Sequence, residues 1–409
     1  MMKLKKLNYV PVLNGTVLNC TLRDDIMIDG KRATFITKDS IFKYNTFLIN
    51  PFHHDELFIR IKNKGDLLPN SIILSDSGGL QEITLGEKKF TPKEVFLWQQ
   101  EHSHIGFCVD SIPYITKNPD GTNKPGSFSG WIFKTKEFLD HARLTKKNID
   151  DTKPYRDRKK DFAFYGIVQG RKYQEFLDWY NIIKDDNYLD GYCVKASNNN
   201  PINLAEVCVF AIHNVVKPLH FLGTGNMSRA IIVCYANKHL KQPITFDSSS
   251  YDIGAQYRSY LLPFMMNRKV RFVSNHNMGE FNELTSANDI VHIKDASLIC
   301  DCPVCQTMGD RLGKMIETND PVLGGLLSVH NLIMNIRWLN YVQAIIDIPY
   351  KLNEFVKYSF EPHLAEKILK GFDMIDISVK KGPEYALHKY KNDIQLNKET
   401  GSQKGVFDF

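Results

Sequence analysis

From residue 71 onward the chain repeats one pattern: a short apolar run ends in a polar residue or glycine, and an amphipathic stretch of helical length follows. The runs are 72–74 ending at Asp76, 105–109 ending at Asp110, 162–168 ending at Gln169-Gly170, 191–194 ending at Lys195, 219–222 ending at Gly223-Thr224-Gly225, 244–246 ending at Asp247 and 270–273 ending at Ser274-Asn275. Apolar runs without alternation belong to strands buried on both faces, the condition of a parallel sheet. Seven such strands with crossovers predict an α/β fold, a (β/α)8 TIM barrel with its site at the carboxyl ends of the strands; a doubly wound open sheet is the alternative. Before residue 60 the pattern differs. Short runs at 9–13, 33–36 and 47–49 are separated by turn residues such as Asn14-Gly15 and Asp29-Gly30, which predicts a small antiparallel sheet. Residues 111–161 are long for a crossover and predict a surface loop around 118–130 ahead of a helix near 134–147. Helical periodicity at 364–375 leads into a polar, lysine-rich tail.

Composition narrows the class. Apolar and charged contents of 43% and 24% are those of an ordinary globular protein, and 409 residues suffice for one large barrel with attachments. No apolar stretch reaches the roughly 18 to 20 residues of a membrane span, so no membrane contact and a cytoplasmic location are expected. A net charge of +6 permits a polyanionic partner without requiring one. Lysines gather near 134–160 and 366–404, either as a phosphate-facing surface or as a solvated face.

The eight cysteines do not form a disulfide pattern. Three crowd into Cys300-Asp301-Cys302-Pro303-Val304-Cys305, and His330 follows after 24 residues. Three thiolates and an imidazole fill a tetrahedral shell and leave no position for a reactive water, so a structural Zn2+ on Cys300, Cys302, Cys305 and His330 is expected. His276 and His292 are rival fourth ligands by position. The resulting divisions are an N-terminal antiparallel β region (1–60), the barrel core with the site (61–295), a zinc-binding subdomain returning to the barrel (296–345), and C-terminal helices with the tail (346–409).

The second chemical signal is a trio of carboxylates, Asp76, Asp110 and Asp247, at the ends of different strands. Asp76 opens Asp76-Ser77-Gly78-Gly79-Leu80-Gln81, whose glycines let the backbone approach a flat ligand. Any one of these acids would equally suit a helix N-terminus. Together, two carboxylates facing one sugar can act as nucleophile and as general acid/base, and a third can bond the edge of a base or sugar.

The segments Asp-Ser-Gly-Gly-Leu-Gln at 76–81, Val-Gln-Gly at 168–170, Leu-Asp-Gly-Tyr at 189–192, Leu-Gly-Thr-Gly at 222–225, Phe-Asp at 246–247 and the Cys-x-Cys-x-x-Cys with His330-Asn331-Leu332 resemble, in that order, the tRNA-guanine transglycosylase family. The resemblance spans about residues 70–340. It implies a zinc-bearing barrel that exchanges a guanine in nucleic acid for a 7-deazaguanine base. By position, Asp247 would be the nucleophile at the sugar C1′ and Asp76 the general acid/base. Asp110 and Gln169 would read the base edge, with Ser77 and Gly223 lining the pocket. In relatives the zinc subdomain is also a dimerisation surface, so a homodimer is implied.

The departures bear on the polymer. After the nucleophile, tRNA-acting bacterial members carry Leu-Pro-Thr-Arg; here the chain reads Asp247-Ser-Ser-Ser-Tyr-Asp-Ile-Gly-Ala-Gln-Tyr-Arg258. The family's Val-Gln-Gly-Gly is Val-Gln-Gly-Arg171, and its glycine-rich segment after Asp-Gly-Tyr is Cys193-Val-Lys-Ala-Ser-Asn198. This is most similar to the DNA-acting branch, DpdA, which inserts 7-cyano-7-deazaguanine into DNA alongside accessory modification proteins. DNA is therefore the expected partner, with tRNA the alternative. Tyr251, Tyr257 and Arg258 are candidates for contact with bases or phosphate, or else core residues of the next helix. A non-catalytic, zinc-stabilised nucleic-acid-binding subunit is the alternative of another class.

Overall fold

A computed structural model describes residues 6–13, 15–22, 27–78, 90–113, 135–196, 200–224, 226–256, 258–263, 269–273, 289–292, 300–309, 311, 315 and 322–395. Thirteen strands are defined among them: β1 (Leu7–Pro11), β2 (Met27–Ile28), β3 (Lys31–Arg32), β4 (Thr46–Ile49), β5 (Ile72–Ser75), β6 (Ile105–Phe107), β7 (Ala163–Gly170), β8 (Gly191–Ala196), β9 (Leu219–Leu222), β10 (Ile244–Ser248), β11 (Ser259–Leu261), β12 (Lys269–Val273) and β13 (Asp289–His292). Eight of them form one parallel sheet in the order β1-β10-β9-β8-β7-β6-β5-β4. Its two ends meet. Val12 bridges Leu48 in parallel, and the Leu13 N–H donates to the Leu48 carbonyl at 2.8 Å. The sheet is thus a (β/α)8 barrel, whose parallel strands all point their carboxyl ends to one face.

The strands form where the apolar runs lie, because a strand lined on both faces must bury every side chain. Thr46–Ile49 and Ile244–Ser248 are buried at every position. The helices between them differ in how many sides they bury: Ser228–Ala236 is buried at every position, whereas others show one apolar face. In Tyr173–Ile183, for example, Phe176, Trp179, Tyr180 and Ile183 are buried at helical spacing. Pro92–His102 starts at a capping box in which Thr91 accepts from the Glu94 N–H and Glu94 accepts from the Thr91 N–H.

Two expectations are corrected by this topology. Among the described residues, antiparallel strand pairing before residue 60 is that of β2 with β3 around Asp29-Gly30, beside a single antiparallel bridge from Thr37 to Leu67, while the runs at 9–13 and 47–49 enter the barrel as parallel strands. Turn residues mark where a chain reverses and do not say which strand a run finds. The strand at 269–273 is real, but it pairs antiparallel with β11 and parallel with β13 outside the barrel. The barrel therefore takes its last two strands from the N-terminus, not from the region after Asp247.

The C-terminal helices pack on the barrel's outer layer. In Pro362–Lys381, Gly371 sits so close to the barrel helices that a Cβ there would lie 2.9 Å from Ile232 Cδ1. The next residue, Phe372, stacks on Tyr235 at 4.1 Å. No described helix is long and apolar enough to cross a membrane. The start of β8 is equally tight: a Cβ on Gly191 would stand 2.6 Å from the Tyr165 ring and 2.7 Å from the Pro218 carbonyl oxygen, which cannot swing away. Gly191→Ala is expected to destabilise the fold by about 1–3 kcal/mol, read as a lower urea midpoint at unchanged slope.

Candidate active site and metal centre

Strands β5, β6, β7, β8 and β10 carry Asp76, Asp110, Gln169, Lys195 and Asp247 at or near their carboxyl ends, the same end of the barrel. Asp76 follows β5 directly, its N–H bonded to the Ile49 carbonyl at 2.9 Å. Its Oδ1 accepts from the Ser77 N–H at 2.8 Å, and Asn50 Nδ2 approaches Oδ2 at 3.4 Å. Beneath it, the buried Gln99 amide donates to the carbonyls of Ser75, Asp76 and Phe107 at 3.0–3.3 Å and ties β5 to β6. Asp110, just past β6, accepts from Gln169 Nε2 of β7 at 2.6 Å, while Gln169 Oε1 is buried with no hydrogen-bond partner. In register with Gln169 stands Lys195 of β8, half-buried.

Asp247 lies in β10. The Gly223 N–H donates to its Oδ1 at 2.7 Å, and His220 Nε2 reaches the same oxygen at 3.1 Å. Gly223 adopts φ +59, and a Cβ there would meet nothing, so glycine is required by the backbone angle that aims this N–H. Arg229, at the start of Met227–Ala236, donates to the Gly223 carbonyl at 2.7 Å and holds that turn. His220 is fully buried against the Phe107 ring and contacts Thr245 Oγ1 through Nδ1 at 2.8 Å.

The mouth disfavours negative charge. Burial raises the Asp76 carboxyl above its ordinary value, with Asp247 adding to the rise and Lys195 and His220 opposing it. Burial likewise raises Asp110 to about 6, against the Gln169 hydrogen bond and the Lys195 charge. These entries of one group into another's field bring Asp76, Asp110, Asp247, His220 and Lys195 into a single electrostatic unit.

Other candidates are placed differently. Ser77 is buried beside Asp76. Tyr251 is a correction: it is fully buried and its hydroxyl donates to the Val12 carbonyl at 2.7 Å, so it belongs to the core and not to a nucleic-acid surface. Arg258 is half-buried at φ +55, where its N–H closes onto the Ala255 carbonyl and ends the helix Ser250–Gln256. Tyr257, Gly79, Leu80, Gln81, Gly225, His276, the 118–130 loop and the tail beyond 395 lie outside the described residues. Within the lysine-rich helix Thr135–Thr152 and the turn after it, Lys146, Lys147, Lys153 and Arg156 are paired with Asp150, Asp151, Asp185 and Asp190 at 2.6–2.7 Å, so these charges are largely met within the chain. Sequence reasoning missed His220, Arg229, Asn50 and Gln99. His220 was the findable one, a lone imidazole inside an apolar strand.

The metal-ligand candidates converge. The ligand atoms of Cys300, Cys302, Cys305 and His330, all buried, lie within 4.8 Å of one another and could hold a metal ion. His330 Nδ1 stands 3.4 Å from Cys302 Sγ and 3.3 Å from Cys305 Sγ. Its other nitrogen is engaged with the Leu261 carbonyl at 2.8 Å, which fixes the tautomer that turns the Nδ1 lone pair toward the thiols. Tyr260 stacks on the imidazole at 3.8 Å and its hydroxyl meets Cys305 Sγ at 3.2 Å.

Among known protein families none matches this chain, and no curated protein matches it. Of solved structures, an endo-β1,6-glucanase aligns over 60% of this chain and 66% of its own, just under two thirds of its length, at 11% identity and a TM-score of 0.36. A putative dihydrodipicolinate synthetase from Pseudomonas aeruginosa aligns over 66% of this chain and 98% of its own at 7% identity and a TM-score of 0.19.

Two expectations follow from the site's physics. Asp110 holds its proton more tightly folded, at about 6, than its ordinary 3.8. Its contribution to stability is therefore full below pH 4 and lost as pH rises through 6, about 3 kcal/mol in all. Asp110→Asn should flatten that part of the dependence in urea titrations at pH 4.5 and 7.5. For the cluster, elemental analysis of the purified chain should find about one transition metal ion per chain, and Cys302→Ser should lose it together with at least about 3 kcal/mol of stability.

Proposed function

We propose that the chain is a transglycosylase that exchanges guanine in DNA for a 7-deazaguanine, 7-cyano-7-deazaguanine by resemblance, through a covalent link between Asp247 and the sugar. The observation that carries this reading is that two carboxyls, Asp247 and Asp76, stand at one barrel mouth within each other's field. Asp247 has donors on one oxygen, as suits a carboxylate nucleophile, whereas burial helps Asp76 keep its proton, as suits an acid. Displacement at a glycosidic carbon needs both.

In the first step Asp247 attacks C1′ and the C1′–N9 bond breaks. The electron pair leaves with guanine, which takes the proton of Asp76. In the second step N9 of the incoming base attacks C1′, its proton passes to Asp76, and the Asp247 ester breaks to restore the carboxylate. The exchange is balanced without oxidant or water. Asp110 and Gln169 supply the polar edge: the unpartnered Gln169 Oε1 accepts from a donor, and guanine-type bases present N–H donors on one edge. A base must leave the stack to enter such a mouth.

The preference for DNA over tRNA rests on the segment after the nucleophile. Where tRNA-acting relatives present a gripping motif, here Tyr251 and Asp252 are buried and Ser248 and Ser250 bond to each other at 2.8 Å. That segment is spent on the protein's own packing. The cluster of Cys300, Cys302, Cys305 and His330 is read as structural Zn2+, since four protein ligands leave no open position.

Nucleoside mass spectrometry on separately digested DNA and tRNA, from cells expressing the chain with a 7-cyano-7-deazaguanine supply, tests the reading. A 7-deazaguanine in DNA that disappears with Asp247→Ala, and with Asp76→Ala, is expected. The base in tRNA alone would change the polymer; undiminished exchange by Asp247→Ala would overturn the mechanism.

A further inference from the structure

Two hydrogen-bond donors converge on one oxygen of Asp247. Both the Gly223 N–H, at 2.7 Å, and His220 Nε2, at 3.1 Å, meet Oδ1. Neither reaches Oδ2. A nitrogen that faces a carboxylate oxygen at this distance must carry a hydrogen, because two acceptors do not bond. His220 therefore presents Nε2–H to Asp247. Its Nδ1 is then the acceptor, filled by the Thr245 hydroxyl at 2.8 Å, a shorter contact than the 3.4 Å from that hydroxyl to the Leu219 carbonyl. The His220 side chain is wholly buried and packed on Phe107, so this orientation is held by its surroundings. The register explains the alignment, since Thr245 pairs with His220 across β10 and β9, and Asp247 lies two residues on, on the same face.

We infer that Oδ2 of Asp247 is the attacking oxygen and that His220 is a positioning residue, which with the Gly223 N–H forms a two-donor cradle for Oδ1. This rests on the transglycosylase reading. When Oδ2 bonds to C1′, Oδ1 becomes the carbonyl oxygen of the glycosyl ester. When that bond breaks, its electron pair returns to Asp247 and the charge spreads onto Oδ1. Donors fixed at Oδ1 stabilise the departing carboxylate, as oxyanion-hole donors stabilise charge that develops during a reaction. Arg229 bonds the Gly223 carbonyl, in the peptide after the one whose N–H meets Asp247.

The test combines kinetics with a measurement that needs no turnover. In single-turnover trapping on a guanine-containing oligonucleotide, His220→Ala should lower the rate of exchange about 100-fold with little change in KM for the free base. His220→Gln, whose amide N–H can take the place of Nε2–H, should stay within about tenfold of the parent. A Gln variant as slow as the Ala variant, or an Ala variant as fast as the parent, would overturn the assignment. Independently, 15N NMR of the histidine-labelled full chain should show His220 as the Nε2–H tautomer, with that proton displaced in Asp247→Ala. The Nδ1–H tautomer would refute the cradle whatever the enzyme does. If the parent chain traps no nucleic acid while the Nε2–H tautomer is found, the function falls and the cradle stands.

Discussion

Pairing of Leu7–Pro11 with Ile244–Ser248 is the contact on which the rest depends, because it seats the strand whose continuation, Val12 and Leu13, reaches Leu48 of β4 and so turns a sheet with two edges into a ring. Without it β10 would be an edge strand, and its unpaired backbone would have to be covered by something else. With it, the strand that carries Asp247 is held on one side by β1, where Val10 pairs with Asp247, and on the other by β9, where the Gly223 turn begins. The junction is reinforced from both directions. The Val12 N–H bonds to the Ser248 carbonyl at 3.1 Å, and Tyr251, one turn beyond Asp247, donates back to the Val12 carbonyl. In the proposed mechanism Asp247 must hold its direction to profit from proximity, and closure supplies that stiffness.

Closure also creates the electrostatic tension of the mouth. Strand ends that converge bring Asp76 and Asp110 within each other's field and Asp76 within that of Asp247, and burial opposes ionisation of Asp76 and Asp110. The chain answers unevenly. Asp247 receives two donors, Asp110 receives the Gln169 amide, and Asp76 receives the Ser77 N–H on one oxygen with Asn50 near the other. Lys195 adds a half-buried positive charge that acts on both Asp76 and Asp110. Such a site costs stability at neutral pH. Tolerating that cost keeps at least one acid protonated where chemistry needs a proton, the usual conflict between a stable and an active arrangement.

The ease of reading this chain follows from which forces are local. Strands β5 to β10 are legible because burial on both faces forces unbroken apolar runs, and the acids at their ends are legible because a polar residue interrupting such a run has a reason to be there. The Cys300–Cys305 cluster is legible because thiols at that spacing have few other uses. What escaped is long-range. Nothing in the run at 9–13 tells that it pairs with residue 247 rather than with a neighbour in a hairpin. Tyr251 is open in sequence between contact with a base and the core of the next helix, and its place is decided by a hydroxyl that finds a distant carbonyl, here that of Val12. His220 was passed over inside an apolar strand, since sequence does not reveal that β9 and β10 place it in register with Thr245 and beside the carboxylate.

The metal-ligand cluster and the segment after Asp247, far apart in sequence, meet on one helix. In Leu323–Ile345, His330 faces the thiols and its neighbour Asn331 faces the segment that follows Asp247. Asn331 donates to the carbonyls of Tyr251 and Ser259 at 3.1 and 3.0 Å and accepts from the Leu261 N–H at 2.9 Å. One turn earlier Ser328 donates to the buried Asp252 at 2.7 Å. Leu261 is therefore gripped twice, at its N–H by Asn331 and at its carbonyl by His330. A metal that fixes His330 would fix the Ser259–Leu261 strand, and through Asn331 the helix Ser250–Gln256 that begins two residues after β10. An ion held there would bear on the proposed catalysis by removing freedom from the segment that anchors the Asp247 strand rather than by touching the substrate.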